Sequence, residues 1–331
     1  MSPLSLGVEF VDAALENSVR SGLERIEDAL RVAVRSDDEF VADAARCLVD
    51  AGGKRFRPLL TILAAHFGDA DSPGVVPAAV VVELTHLATL YHDDVMDEAT
   101  VRRGAASANS RWGNTVAILT GDFLFARASD ILAELGPWAV RLQARTFERL
   151  VTGQIRETVG PKDGVDPIDH YLDVLAEKTG SLIATAAEFG AHFAGAPPHV
   201  IGRLRRFGEQ IGIAFQISDD ILDIASESVQ SGKTPGTDLR EGIATLPVLY
   251  ALRSQESGTG RLRALVSRPL LDDAEHAEAL DLLRSSDALA ESRKTLAAYA
   301  EEARATLHGL PELPARAALA ALSDIVVART G

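Results

Sequence analysis

The sequence predicts an all-α protein, and three observations carry that reading. Apolar residues recur at three- and four-residue spacing along nearly the whole chain, alanine and leucine abound, and period-two runs rich in threonine, tyrosine and isoleucine are missing. Helices are expected over about residues 8–34, 38–51, 56–67, 76–98, 113–135, 138–158, 167–192, 198–226 and 242–254, with several more between 273 and 328. The segment "AAVVVELTHLATLYH" (78–92) is apolar nearly all round, which marks a helix buried at the centre of a bundle.

Breaks fall at "GDADSPG" (68–74), "GPKDGVDP" (160–167), "GAPP" (195–198) and "SESVQSGKTPGTDLREG" (226–242). None is long enough to link separate domains, so residues 1–331 read as a single helical domain with a sizeable core. A net charge of -15 argues against a broad nucleic-acid surface and makes each basic cluster informative. The single cysteine, Cys47, excludes intrachain disulfides and cysteine metal cages; it reads as a buried thiol in a reducing, cytoplasmic setting. The first residues lack a signal-peptide pattern and no uncharged apolar stretch reaches 18 residues, so the expectation is a soluble protein with no spanning segment.

The buried helix ends in "HDDVMD". On a helix Asp93 and Asp97 project from one face a turn apart, with Asp94 on the flank. Such carboxylates repel unless a cation joins them, and oxygen-only ligands in an open arrangement suit Mg²⁺ shared with phosphate oxygens. One cluster alone reads as readily as a solvated helix end. "FQISDDILD" repeats the spacing at Asp219, Asp220 and Asp223. If the two helices face each other, the clusters can hold several Mg²⁺ ions around one polyanion, most plausibly a diphosphate.

Basic groups accompany the acids. "AGGKRFRP" (51–58) sets Lys54, Arg55 and Arg57 behind two glycines, where close backbone approach and exposed donors suit a phosphate. Arg102 and Arg103 follow Asp97 closely enough to reach a metal-bound diphosphate and a neighbouring anion; ion pairs to the aspartates are the alternative. His86 shares the Asp93 face two turns deeper, where a hydrogen-bonded core histidine is an equal reading. Lys178, Thr179 and Gln216 are weak signals singly, and Lys233 lies in a Gly/Pro-rich loop suited to closing over a diphosphate.

Taken in order, "GGKRFRP", "HDDVMD" with "RRG", "KTG", "FQISDDILD" and "GKTPGTDLREG" resemble the trans-polyprenyl diphosphate synthases over about residues 45–250, and "LPARAALAALSDIVVART" resembles their C-terminal helix. The resemblance implies an isoprenoid-synthase fold around a deep central cavity, a homodimer, three Mg²⁺ per site, and head-to-tail condensation of isopentenyl diphosphate with an allylic diphosphate. It assigns Asp93, Asp97, Asp219 and Asp223 to Mg²⁺, and Lys54, Arg57, His86 and Arg103 to isopentenyl diphosphate. Arg102, Lys178 and Lys233 would grip the allylic diphosphate, with Thr179 and Gln216 at the reacting end. Membrane contact is expected at most transiently, for product release. One position departs from the pattern: Ile243 stands where many relatives carry a second loop lysine.

In this family bulky residues just upstream of the first acidic cluster close the elongation cavity. Here Ala88 and Thr89 are small, and Thr85 and Val82 lie roughly 12 and 16 Å below Asp93 along the helix. The expected product is therefore medium- to long-chain, about heptaprenyl to decaprenyl, from a farnesyl or geranylgeranyl primer. Phe123, Phe125 and Phe147 are floor candidates on other helices, and a geranylgeranyl product or a role as one subunit of a two-component synthase stays open.

Overall fold

The computed structural model describes residues 10–226, 235–255 and 258–330, and its elements are helical apart from one two-residue hairpin. The helices are α1 (Ala13–Ala33), α2 (Glu39–Asp50), α3 (Phe56–Ala65), α4 (Val75–Met96), α5 (Ala108–Trp112), α6 (Asn114–Leu135), α7 (Pro137–Val159), α8 (Pro167–Leu175), α9 (Ser181–Phe193), α10 (Pro198–Ala225), α11 (Thr237–Glu241), α12 (Leu246–Arg253), α13 (Gly260–Val266), α14 (Asp273–Arg284), α15 (Asp287–Thr306) and α16 (Pro314–Ala328). Between α4 and α5, β1 (Val101–Arg102) pairs antiparallel with β2 (Ala105–Ala106).

Where the pattern and the structure differ, local chemistry explains it. Of the helix expected over 8–34, residues 8 and 9 lie outside the described residues, and among the described ones it starts at Ala13, because Asp12 caps it, accepting from the Leu15 N–H at 2.7 Å. The helix expected from 242 starts only at Leu246, after Thr245 and with Pro247 in its first turn. The short helices α11 and α13 and the hairpin carry too few residues for a period to register. The helix expected over 167–192 is interrupted by a π-helical turn at Ala176–Gly180, a local widening frequent at functional sites.

The chain divides into two compact units: Met1–Glu148 with Leu182–Gly208 and Gly309–Ala321, and Arg149–Ser181 with Glu209–His308 and Leu322–Gly331. In the first, α4 is the core, packed along α6 and against α1 and α3. By length and composition α4 would cross a membrane, yet 67% of its most apolar window is buried inside the protein, as its all-round apolar surface predicts. Tyr91 ties α4 to α2, donating to the Ala44 carbonyl at 2.6 Å and accepting the Leu48 N–H at 3.2 Å. Lower on α4, the Thr85 hydroxyl donates to the Val81 carbonyl and accepts from Gln143 Nε2 of α7, both at 2.8 Å. One turn along α7, Phe147 packs on Phe125 of α6 with ring centroids 4.5 Å apart.

In the second unit Ser218 of α10 donates to the Val326 carbonyl of α16 at 3.0 Å, and Arg149 of α7 pairs with Glu209 of α10 at 2.6 Å. The π turn lies against α7 at Gly153, where any side chain would meet the Lys178 backbone nitrogen at 2.7 Å.

Close backbone approach also sets the α3–α9 packing in the first unit. A Cβ at Gly190 would lie 2.0 Å from the Thr61 carbonyl oxygen. Alanine is the better helix former by about 1 kcal/mol, but overpacking against backbone costs roughly 1–3 kcal/mol or more. Gly190→Ala should therefore lower stability in urea unfolding, where propensity alone would raise it.

Candidate active site

In the first unit the end of α4 carries the first acidic cluster. Asp93 lies in the last turn and Asp97 is the C-cap, its N–H bonded to the Asp93 carbonyl at 2.8 Å, so the two stay one turn apart as the spacing predicts. Asp97 is 52% exposed. Asp94 between them is fully buried: Oδ1 accepts from Arg102 Nε at 2.5 Å, and Oδ2 has no hydrogen-bond partner among the described residues. Burial pushes its carboxyl upward against the pull of Arg102. Arg102 also approaches Asp97 at 3.7 Å. The ion-pair alternative for Arg102 is thus realised here, and the pair sets its guanidinium beside the acidic mouth.

The basic group corrects one expectation. Arg55 is not an exposed phosphate donor: it is 5% exposed, at a left-handed φ of 47°, and bonded to Glu27, to Glu83 at 3.0 Å and to the Val49 carbonyl at 3.0 Å. It belongs to the scaffold. Burial alone would depress its pKa; the glutamates more than reverse that. Lys54 is exposed and Arg57 half-buried, with a buried Nε that lacks a hydrogen-bond partner among the described residues. Burial and the neighbouring Arg103 bring Arg57 down to about 10, with Glu83 opposing. Arg103, at φ 53°, donates to the Leu48 carbonyl at 3.1 Å and to the Gly52 carbonyl. Its guanidinium fills the space where a Gly53 side chain would stand, at 2.9 Å from a Cβ.

His86 keeps some accessible surface and lies in the field of Arg57, Arg103, Arg55 and Arg102. Desolvation first, and these four cations next, hold its pKa well below 6.5, so it is a neutral imidazole among guanidinium groups. The first unit therefore brings together Arg57, His86, Arg102 and Arg103, with Asp97 3.7 Å from Arg102; Asp93 lies one helical turn before Asp97, and exposed Lys54 lies three residues before Arg57. Further down α4, Ala88, Thr85 and Val82 are fully buried, and Thr89 turns its hydroxyl onto the His86 carbonyl at 2.8 Å.

In the second unit Lys178 and Thr179 sit in the π turn. Lys178 Nζ pairs with Glu157 at 2.5 Å, and Thr179 Oγ1 lies 3.5 Å from Gln216 Oε1. Gln216 donates to Asp220 at 2.9 Å, and Tyr171 donates to the other Asp220 oxygen. Asp220 is buried, which lifts its carboxyl to about 7 despite those two bonds. Asp219 is 44% exposed. Asp223 accepts the Thr237 and Asp238 N–H groups at 3.2 Å each, anchoring α11, so as a metal ligand it would have to share both oxygens. Lys233 lies outside the described residues. Cys47, expected to be buried, is half-exposed with Arg111 3.5 Å from its sulfur.

Sequence reasoning passed over Glu83, Tyr171 and Arg329. Glu83, a lone acid inside "AAVVVELTHL", was the one with a local signal. Among the described residues no three His, Cys, Asp or Glu side chains converge on a single point. A cation at either acidic cluster therefore needs oxygens from a ligand as well, and open carboxylates of this kind fit Mg²⁺, which keeps waters and substrate phosphates in its shell.

Comparison with known proteins places this arrangement in a family. Residues 38–283 match the polyprenyl synthetase profile. The chain belongs to that family and is a polyprenyl diphosphate synthase, a transferase of prenyl groups. It is 54% identical to the nonaprenyl diphosphate synthase of Mycobacterium tuberculosis, over 98% of this chain and 97% of that one. It is 40% identical to component 2 of the heptaprenyl diphosphate synthase of Geobacillus stearothermophilus, over 82% of this chain and 84% of that one. Among solved structures, geranylgeranyl pyrophosphate synthase of Corynebacterium glutamicum, complexed with calcium and isoprenyl diphosphate, superposes with a TM-score of 0.88 at 47% identity, covering 98% of this chain and 100% of that one.

The histidine gives the site a direct readout. At pH 6.5 an unperturbed imidazole is half protonated, whereas His86 should still show the nitrogen shifts of the neutral ring by NMR. A titration midpoint at or above 6.5 would contradict the field described.

Proposed function

We propose that the protein adds isopentenyl diphosphate units successively to a farnesyl or geranylgeranyl diphosphate primer and releases an all-trans product of medium to long chain, about heptaprenyl to decaprenyl. The observation that carries this reading is the tip of α4, where the exposed carboxylate of Asp97 stands 3.7 Å from Arg102 and a neutral His86 lies in the field of four arginines. The two units work as one catalytic domain in this reading.

Asp93, Asp97, Asp219 and, through shared oxygens, Asp223 would hold Mg²⁺, three ions per site by the family pattern. When bound, Mg²⁺ neutralises charge growing on the departing diphosphate. Arg102, Lys178 and Lys233 would hold the allylic diphosphate and add fixed positive charge to the same end. Lys54, Arg57 and Arg103 would bind isopentenyl diphosphate, with His86 as a neutral hydrogen-bonding partner that adds no repulsion to the cations. Thr179 and Gln216 would line the reacting end, orient the isopentenyl double bond for attack on the allylic carbon, and keep water out. The departed diphosphate serves as base for the proton lost, so no protein nucleophile is needed.

Product length is supported by the small side chains Ala88, Thr89 and Thr85, and by the nonaprenyl synthase relative. A cytoplasmic homodimer with at most transient membrane contact accords with the lone cysteine and with exposed apolar side chains on α6, Ile118 and Leu119. The likeness to a synthase named component 2 supports a second reading, in which turnover needs a partner subunit.

Purified protein incubated alone with farnesyl diphosphate, isopentenyl diphosphate and Mg²⁺ should yield, after dephosphorylation, an alcohol of about seven to ten isoprene units by mass analysis, as the lengths of the α4 residues and the relatives lead us to expect. Ala88→Phe should shorten the dominant product. A product stopping at geranylgeranyl would contradict the length, and no product would contradict the single-chain activity.

A further inference from the structure

Arg329 has no place in the roles above, yet it is bonded to the second acidic cluster and to the turn of α10 that carries it. Its Nε donates to Ser218 Oγ at 2.6 Å, and its Nη2 donates to the Phe215 carbonyl at 2.9 Å and to Asp219 Oδ1 at 2.5 Å. The guanidinium also stacks over the Phe215 ring, 4.3 Å from its centroid. The arginine side chain is 18% exposed while that of Asp219 is 44% exposed. Ser218 itself donates to the Val326 carbonyl, so α16 is tied to this same turn of α10.

These contacts define a fixed cation. Donors spent on a hydroxyl, a carbonyl and a carboxylate, with a ring under one face, leave the guanidinium no freedom to swing out towards a substrate. It grips one oxygen of an otherwise open carboxylate. An outer partner of this kind orients a metal-binding carboxylate and leaves its remaining surface free.

We propose that Arg329 is a positioning residue for the metal-binding carboxylate of Asp219, so that the C-terminal helix sets the affinity of the second acidic cluster for Mg²⁺. The proposal rests on the reading of Asp219 as a Mg²⁺ ligand. A side chain that merely glued α16 to α10 would affect stability and leave metal affinity alone. A cation that competed for Asp219 would weaken metal binding, and its removal would tighten it.

The test needs no turnover. The full chain is melted in the presence of inorganic pyrophosphate while Mg²⁺ is titrated, and the Mg²⁺ concentration giving half of the maximal rise in melting temperature is read. In Arg329→Gln that midpoint should rise about tenfold, the lower end of what loss of an outer-shell partner costs. Arg329→Lys, keeping the charge but offering one nitrogen, should fall between Gln and wild type. Ser218→Ala, which removes one anchor of the guanidinium, should shift the midpoint in the same direction by less, and covers the case in which Arg329→Gln does not fold. Unchanged midpoints in the variants, even with lower melting temperatures without metal, would overturn the proposal, as would a lower midpoint in Arg329→Gln. If the wild type shows no Mg²⁺-dependent shift at all, the metal reading itself fails and the role of Arg329 falls with it.

Discussion

The carboxylate of Glu83, 2% exposed in the middle of the core helix α4, is the constraint on which the basic group of the first unit depends. A lone buried anion would be prohibitively costly, and Arg55 meets it at 3.0 Å. Holding Arg55 there requires the loop before α3 to turn through a left-handed residue and to return to Glu27 and the Val49 carbonyl. That turn fixes where Lys54 and Arg57 emerge. Glu83 also offsets part of the repulsion among Arg57 and Arg103, so four guanidinium groups can crowd one histidine.

The two acidic clusters are built on one plan. In each, the middle acid is buried and spent on structure, Asp94 with Arg102 and Asp220 with Tyr171 and Gln216, while an outer acid stays open, Asp97 at 52% and Asp219 at 44% exposure. The division follows from helix geometry: residues i and i+4 share a face, and the residue after i turns into the neighbouring helices. Each buried carboxyl is raised by desolvation and so needs its donors, while the open ones remain suited to a strongly hydrated cation. In each cluster an exposed carboxylate thus stands beside one that is fixed in the packing beneath it.

How much of this was legible in the sequence depends on the range of the interaction. The buried α4, the spacing of Asp93 and Asp97 and its repeat at Asp219 are local, periodic signals, and they survive in the structure. Arg55 was misread because its partners Glu27 and Glu83 are each 28 residues away, and a basic run beside glycines looks the same whether its donors face a phosphate or a core carboxylate. Gln143, bonded to Thr85 across 58 residues, and Arg329, across 110 residues from Asp219, had no local signal at all. The π turn carrying Lys178 and Thr179 was hidden because its composition is that of an ordinary helix, and its close approach to Gly153 spans about 25 residues of sequence.

The central claim, that one buried acid organises the cationic half of the site, is tested most directly by replacing Glu83 with Gln and measuring urea unfolding. Breaking a buried, hydrogen-bonded pair should cost about 3–5 kcal/mol, far above the effect of an isosteric change at an unpaired position. A loss smaller than about 0.5 kcal/mol would mean that Arg55 is held by Glu27 and the backbone alone, and would contradict the account.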